Sequence, residues 1–162
     1  MTLSRMDEEE SPLKLSDFAV SEAVEETAES FRDFARSQGH PLELAIVPGL
    51  TYCGDEYAVR QLVSILLDNA VKYALPETPI RFVLEKGKRG GVLRCSNACT
   101  PLAEGETEKL FDRFYRSDQA RSADGGFGVG LSIARSIAEG HRGFIRAQCP
   151  QPGEIVFTAQ LR

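Results

Sequence analysis

The chain has 162 residues, enough for one domain with a full hydrophobic core and no need of a disulfide or metal staple. Its formal charge is −5 and its basic residues are dispersed, which argues against nucleic acid as a partner. Four cysteines without C-x-x-C spacing and only two histidines argue against zinc. No apolar run approaches the ~20 residues of a membrane span, and no signal-peptide pattern is visible, so reduced cytosolic thiols are expected.

Residues 1–11 are polar and acidic and read as a linker or a severed helix end. Ser21 is the expected cap of a helix running to Ser37, with Val24, Ala28, Phe31 and Ala35 on one stripe and Gly39 as its stop. Leu42, Leu44 and Ile46 alternate with Glu43, Ala45 and Val47, which predicts a strand closed by Pro48-Gly49. Asp55 is the expected cap of a long second helix. Its core stripe includes Val59, Leu62, Val63, Leu66 and Ala70, and Pro76 and Pro79 punctuate its end. Residues 80–85 and 92–96 flank Gly87-Lys88-Arg89-Gly90-Gly91 and predict a hairpin. A short helix around Phe111 precedes a polar, glycine-ended loop. A third main helix is expected over 128–139, with Val129, Ile133, Ala134 and Ile137 inward. A second hairpin follows, over 143–149 and 154–161. Three main helices and about five mostly antiparallel strands predict a two-layer α/β sandwich with the helices on one face.

Within the second helix, Asn69, Lys72 and Tyr73 stand at i, i+3 and i+4 and so share a face. Grouping an amide, an ammonium and a phenol there is costly without partners. An amide oxygen can coordinate a hard cation such as Mg²⁺. A lysine can neutralise phosphate, and a tyrosine ring can cover a flat base. The plain alternatives are an asparagine bonded to nearby backbone, a solvated lysine and a core tyrosine. Gly126-Phe127-Gly128-Val129-Gly130-Leu131 opens the third helix, where glycines allow close backbone approach to phosphate and free N–H groups favour an anion. The Rossmann form of such a run needs a strand just before it, and residues 116–125 are polar. The Walker A form needs Gly-Lys-Ser/Thr, which is absent.

These motifs together resemble the catalytic, ATP-binding domain of bacterial sensor histidine kinases, in the superfamily shared with gyrase, Hsp90 chaperones and mismatch-repair clamps. Residues 64–74, with Asp68-Asn69-Ala70-Val71-Lys72-Tyr73, resemble the N box. Leu110-Phe111-Asp112-Arg113-Phe114-Tyr115-Arg116 resembles the F box, and Gly126 to Leu131 resembles the G2 box. The resemblance covers residues 14–162, with 1–13 similar to the end of the helix that joins this domain to a dimerisation and phospho-acceptor domain. It implies a protein-histidine kinase that binds ATP and Mg²⁺ and serves two-component signalling. Asn69 is then the metal ligand, and Lys72 meets a phosphate. Tyr73 packs by the adenine or ribose. Arg116 reaches the γ-phosphate, with Arg121 a weaker second candidate. Gly126, Gly128, Gly130 and Leu131 surround the triphosphate. The acceptor histidine lies upstream of this chain, since neither His40 nor His141 stands in an H box. The implied partners are that upstream domain and, indirectly, a response regulator. This chain alone is expected to be monomeric, the cytoplasmic part of a membrane-bound parent.

Two departures bear on the site. The G1 box of the family carries Asp-x-Gly-x-Gly, and the aligned stretch here is Asn97-Ala98-Cys99-Thr100-Pro101-Leu102. Asn97 offers a neutral acceptor in place of a carboxylate, so adenine is expected to be held more weakly. Its amide, if flipped, would also suit guanine. Ile65, one turn before Asn69, replaces the glutamate with which ATP-hydrolysing relatives activate water. That disfavours hydrolysis and fits a transferase. Two alternatives stay open: a docking or regulatory module of the same fold with impaired nucleotide binding, and an anti-sigma serine kinase.

Overall fold

Asp55 ends one strand and begins the longest helix, and the rest of the domain is arranged around that helix. The computed structural model describes residues 13–103, 105–112 and 130–162. In chain order the elements are β1 (Ser16–Ala19), α1 (Val20–Glu29), α2 (Arg32–Ser37), β2 (Leu42–Ile46), β3 (Thr51–Gly54), α3 (Glu56–Tyr73), β4 (Ile80–Lys86), β5 (Gly91–Ala98), α4 (Glu106–Lys109), α5 (Gly130–Gly140), β6 (Phe144–Gln148) and β7 (Glu154–Gln160).

Five strands form one sheet in the order β2-β4-β5-β7-β6. The β2–β4 pair is parallel and the other three pairs are antiparallel. The period-2 alternation puts Ile80, Phe82, Leu84, Leu93, Cys95, Ile155, Phe157 and Ala159 on the face that meets the helices. The opposite face carries Arg81, Glu85 and Arg94, with Arg94 paired to Glu85. α3 lies over β4 and β5, between α1 and α5. It buries Val59, Leu62, Val63, Leu66 and Leu67 almost completely. Truncating one of these leucines to alanine costs about 2–5 kcal/mol. This is the two-layer α/β arrangement expected from the sequence.

Asp55 caps α3 as expected, accepting from the Ala58 N–H at 3.0 Å. Ser21 does not cap α1. The helix starts one residue earlier, after Ala19, with no side-chain cap. The Ser21 hydroxyl instead donates to the Val47 carbonyl and accepts from the Leu50 N–H, tying the turn after β2 to the helix. Nor is the first helix continuous to Ser37. It stops at Glu29, and α2 begins at Arg32. The Ser30 hydroxyl bonds the Thr27 carbonyl, and Arg32 reaches the Leu42 carbonyl at 2.8 Å. A side chain competing for helix carbonyls, together with a tertiary anchor, breaks the repeat. Gly39, at φ 88°, closes α2 with its N–H on the Arg36 carbonyl. A further antiparallel pair, β1 with β3, was not expected.

Candidate functional site

Two contacts fix how the end of α3 sits on the sheet. The Cys95 thiol lies 3.7 Å from the Leu66 carbonyl, and the Leu75 N–H donates to the Ala98 carbonyl at 3.1 Å. The turn from Asn69 to Tyr73 lies between these anchors and so runs beside Asn97, at the end of β5. A third element arrives at Ile65. A Cβ placed on Gly130, the first residue of α5, would sit 3.7 Å from the Ile65 methyl. The structure thus brings Asn69, Lys72, Tyr73, Asn97, Gly130 and Leu131 to the junction of one helix end, one strand end and one helix start. Arg116, Arg121, Gly126 and Gly128 lie outside the described residues, as does the F box from 113 onward.

Asn69 is half-buried on α3 and Tyr73 is likewise half-buried. Lys72 is exposed, and its ammonium lies 3.3 Å from the Asp68 carboxylate one turn back. That spacing is visible in the sequence as an i, i+4 acid–base pair, but Asp68 is missed when only the Asn69 face is considered. Asn97 is only 5% exposed, and its NH₂ donates to the Ala98 carbonyl at 2.8 Å. Its Oδ1 remains as an acceptor.

Burial pushes the Cys95 thiol up to about 12, and the Cys99 thiol, two residues after Asn97, is also raised, first by burial and then by Cys149 and Glu154. Both stay protonated at neutral pH and act as small apolar fillers. Phe111, at the root of the F box, is buried edge-on against Phe157 at 5.9 Å. Both histidines are buried and structural. His40 contacts the Thr78 carbonyl, and His141 links α5 to the start of α3.

Among the described residues no group of three or more His, Cys, Asp or Glu could hold a metal. Magnesium fits this donor set in another way. It keeps water and phosphate oxygens around it and needs only one or two protein oxygens, a need that the amide oxygen of Asn69 would suit.

Residues 54–162 match the model of the histidine kinase-, DNA gyrase B- and HSP90-like ATPase family. The sensor protein DltS of Streptococcus agalactiae is 32% identical over 147 residues, covering 91% of this chain and 37% of DltS. The signal transduction histidine-protein kinase BaeS of Escherichia coli is 30% identical over 135 residues, covering 82% of this chain and 28% of BaeS. The chain therefore spans little more than a third of the length of DltS and less than a third of that of BaeS. A mycobacterial sensor histidine kinase, MprB, superposes with a TM-score of 0.75 at 26% identity, over 91% of this chain and 99% of that one. The full-length kinase ShkA, solved with AMPPNP, superposes with a TM-score of 0.80 over 98% of this chain and 33% of its own, and at 20% identity it supports the fold.

Proposed function

Because this chain belongs to the histidine kinase-, DNA gyrase B- and HSP90-like ATPase family, we propose that it is the catalytic domain of a sensor histidine kinase. It binds Mg-ATP and presents the γ-phosphate to a histidine on a separate helical dimerisation domain, which in turn serves a response regulator. What supports this reading is that α3, which carries Asn69 and Lys72, is tied near its end to β5, which carries Asn97, and meets the start of α5 at Ile65, within the family-matched span.

Each residue has a task that its chemistry suits. Asn69 offers its amide oxygen to magnesium, which when bound bridges phosphate oxygens and offsets their charge. Lys72 leaves Asp68 to neutralise a phosphate. Tyr73 packs by the base or ribose. Oδ1 of Asn97 accepts from the adenine amino group. The first amides of α5, at Gly130 and Leu131, belong to a helix N-terminus, whose N–H groups and dipole suit an anion. Arg116 is assigned to the γ-phosphate on motif alone. Ile65 has no group that could activate water, which disfavours hydrolysis and fits transfer to an imidazole. Transfer by such a site is positioning and charge neutralisation. The whole protein is proposed to sit in a membrane with this domain on the cytoplasmic side. No described helix is itself long and apolar enough to cross one.

The test is calorimetry with Mg-ADP and a non-hydrolysable Mg-ATP analogue, followed by phosphotransfer to an acceptor domain added in trans. Asn69→Asp should abolish transfer with little loss of thermal stability. Absence of heat, with no magnesium-dependent protection from proteolysis at millimolar nucleotide, would leave only the docking-module reading.

A further inference from the structure

Asp55 does more than cap α3. Its second carboxylate oxygen accepts from the Lys14 N–H at 2.9 Å, and its own N–H donates to Nε2 of His141 at 3.0 Å. With Nε2 accepting, the His141 ring is neutral and its Nδ1–H donates to the Ile137 carbonyl at 2.9 Å. One residue thus joins three parts of the chain: the segment entering the domain, the start of α3 and the end of α5. A second contact repeats the link. Leu13 packs over Gly140, where an added Cβ would lie 2.9 Å from the Leu13 methyl. Gly140 is not in the left-handed region, so its missing side chain makes room and does not serve backbone conformation.

The far end of α5 is Gly130, against Ile65 and one turn from Asn69. An eleven-residue helix spans about 16 Å. It therefore runs from the entering segment to the candidate nucleotide site as one rigid element. We propose that Leu13 and Lys14 form a strap that seats α5 on α3, so that tension or release from the domain upstream alters the packing beside Asn69. The second half of this statement rests on the nucleotide-site reading above, and the first half does not.

Two substitutions separate the strap from ordinary stability. Asp55→Asn keeps an oxygen to cap α3, but its NH₂ cannot accept from the Lys14 N–H. Gly140→Ala displaces Leu13, yet alanine favours the helix itself. If Gly140 is only a weak spot in α5, Gly140→Ala slows amide exchange there. If the strap seats the helix, both variants speed exchange over residues 137–141 by about fivefold, as expected for losing one hydrogen bond or its apolar equivalent. Mg-ADP affinity should fall together with it. Exchange that is unchanged in Asp55→Asn, or slower in Gly140→Ala, overturns the strap. Faster exchange in both variants with no change in Mg-ADP affinity overturns its link to the site. Failure of the unaltered chain to bind nucleotide sinks the site reading instead, and exchange still decides the strap.

Discussion

The side-chain NH₂ of Asn97 donates to the carbonyl oxygen of its neighbour Ala98 at 2.8 Å, and this fixes the orientation of the amide and leaves Oδ1 as its acceptor. A carbonyl can only accept, so the reversed amide would set two oxygens against each other. Flipping forfeits a hydrogen bond and adds that repulsion, a cost of about 1–3 kcal/mol. A neutral amide in this box first suggests relaxed discrimination between adenine and guanine. The bond to Ala98 argues the opposite, because Oδ1 alone is presented and guanine offers it a carbonyl.

The expected outcome is that ATP binds at least about tenfold more tightly than GTP. Asn97→Asp should keep that preference. It should gain less than a charged acceptor ordinarily brings, since the carboxylate meets the Ala98 oxygen. Titration of both nucleotides against both proteins decides it. Equal affinities for ATP and GTP in the unaltered chain would mean that Asn97 does not read the base.

The turn after α5 sets two neighbours against each other. Arg142 sits at φ 66°, a left-handed conformation that costs a non-glycine residue about 1 kcal/mol. Arg142→Gly should therefore stabilise the fold by about 0.5–1 kcal/mol. At Gly143 a Cβ would lie 1.6 Å from the Gln160 carbonyl oxygen, in the backbone of β7. Backbone cannot step aside cheaply, so Gly143→Ala should cost more than about 3 kcal/mol or prevent folding. Urea denaturation of the two variants should give opposite signs.

Much of this architecture is written in local patterns. The helix Glu56–Tyr73 is legible because Asp55 is a strong cap and its apolar stripe runs unbroken to Ala70. Both hairpins are legible from alternation around turns rich in glycine (residues 87–91) or proline (residues 150–153). The break at Ser30 is hidden, because the apolar stripe continues through Phe31 while Arg32 obeys a distant carbonyl. The β1–β3 pair is hidden because β1 is mostly exposed and the alternation of β3 runs for only four residues. For the site, Asn69 and Lys72 stand out by chemistry on a helix face. The amide orientation of Asn97 and the three-way role of Asp55 depend on partners far off in the chain, which spacing alone cannot supply.

Tyr52 gives a pH dependence. Its ring is buried between Phe18 and His141, and its hydroxyl donates to the Arg162 carbonyl at 2.9 Å. Burial, with a smaller contribution from Cys53, pushes its pKa up to about 12. A raised acid is one whose charged form the fold disfavours. The stability it contributes is complete below the ordinary tyrosine value near 10 and is lost as pH rises towards 12. Stability measured from pH 9 to 12 should fall more steeply in this chain than in Tyr52→Phe, which has no such proton to lose. Parallel curves would place the alkaline transition elsewhere. At neutral pH the substitution should cost about 1 kcal/mol for the lost hydrogen bond.

Asp68 holds the Lys72 ammonium at 3.3 Å, with both side chains partly in water. Such an i, i+4 pair is worth only about 0.3–0.5 kcal/mol to the helix. On the proposed function its larger effect is on the nucleotide, which would have to draw Lys72 away and also tolerate a carboxylate beside its phosphates. Asp68→Asn removes both obstacles. Nucleotide affinity should rise by about two- to fivefold, more for ATP than for ADP because ATP carries the extra charge, and less at high salt where exposed charges are screened. The double variant with Lys72→Met separates the two causes. If Lys72 meets the phosphates, most of the gain disappears once it is gone. An equal gain in both backgrounds would reduce Asp68 to a source of general field and take Lys72 out of the site. An affinity unchanged by Asp68→Asn would mean that the phosphates bind away from this pair.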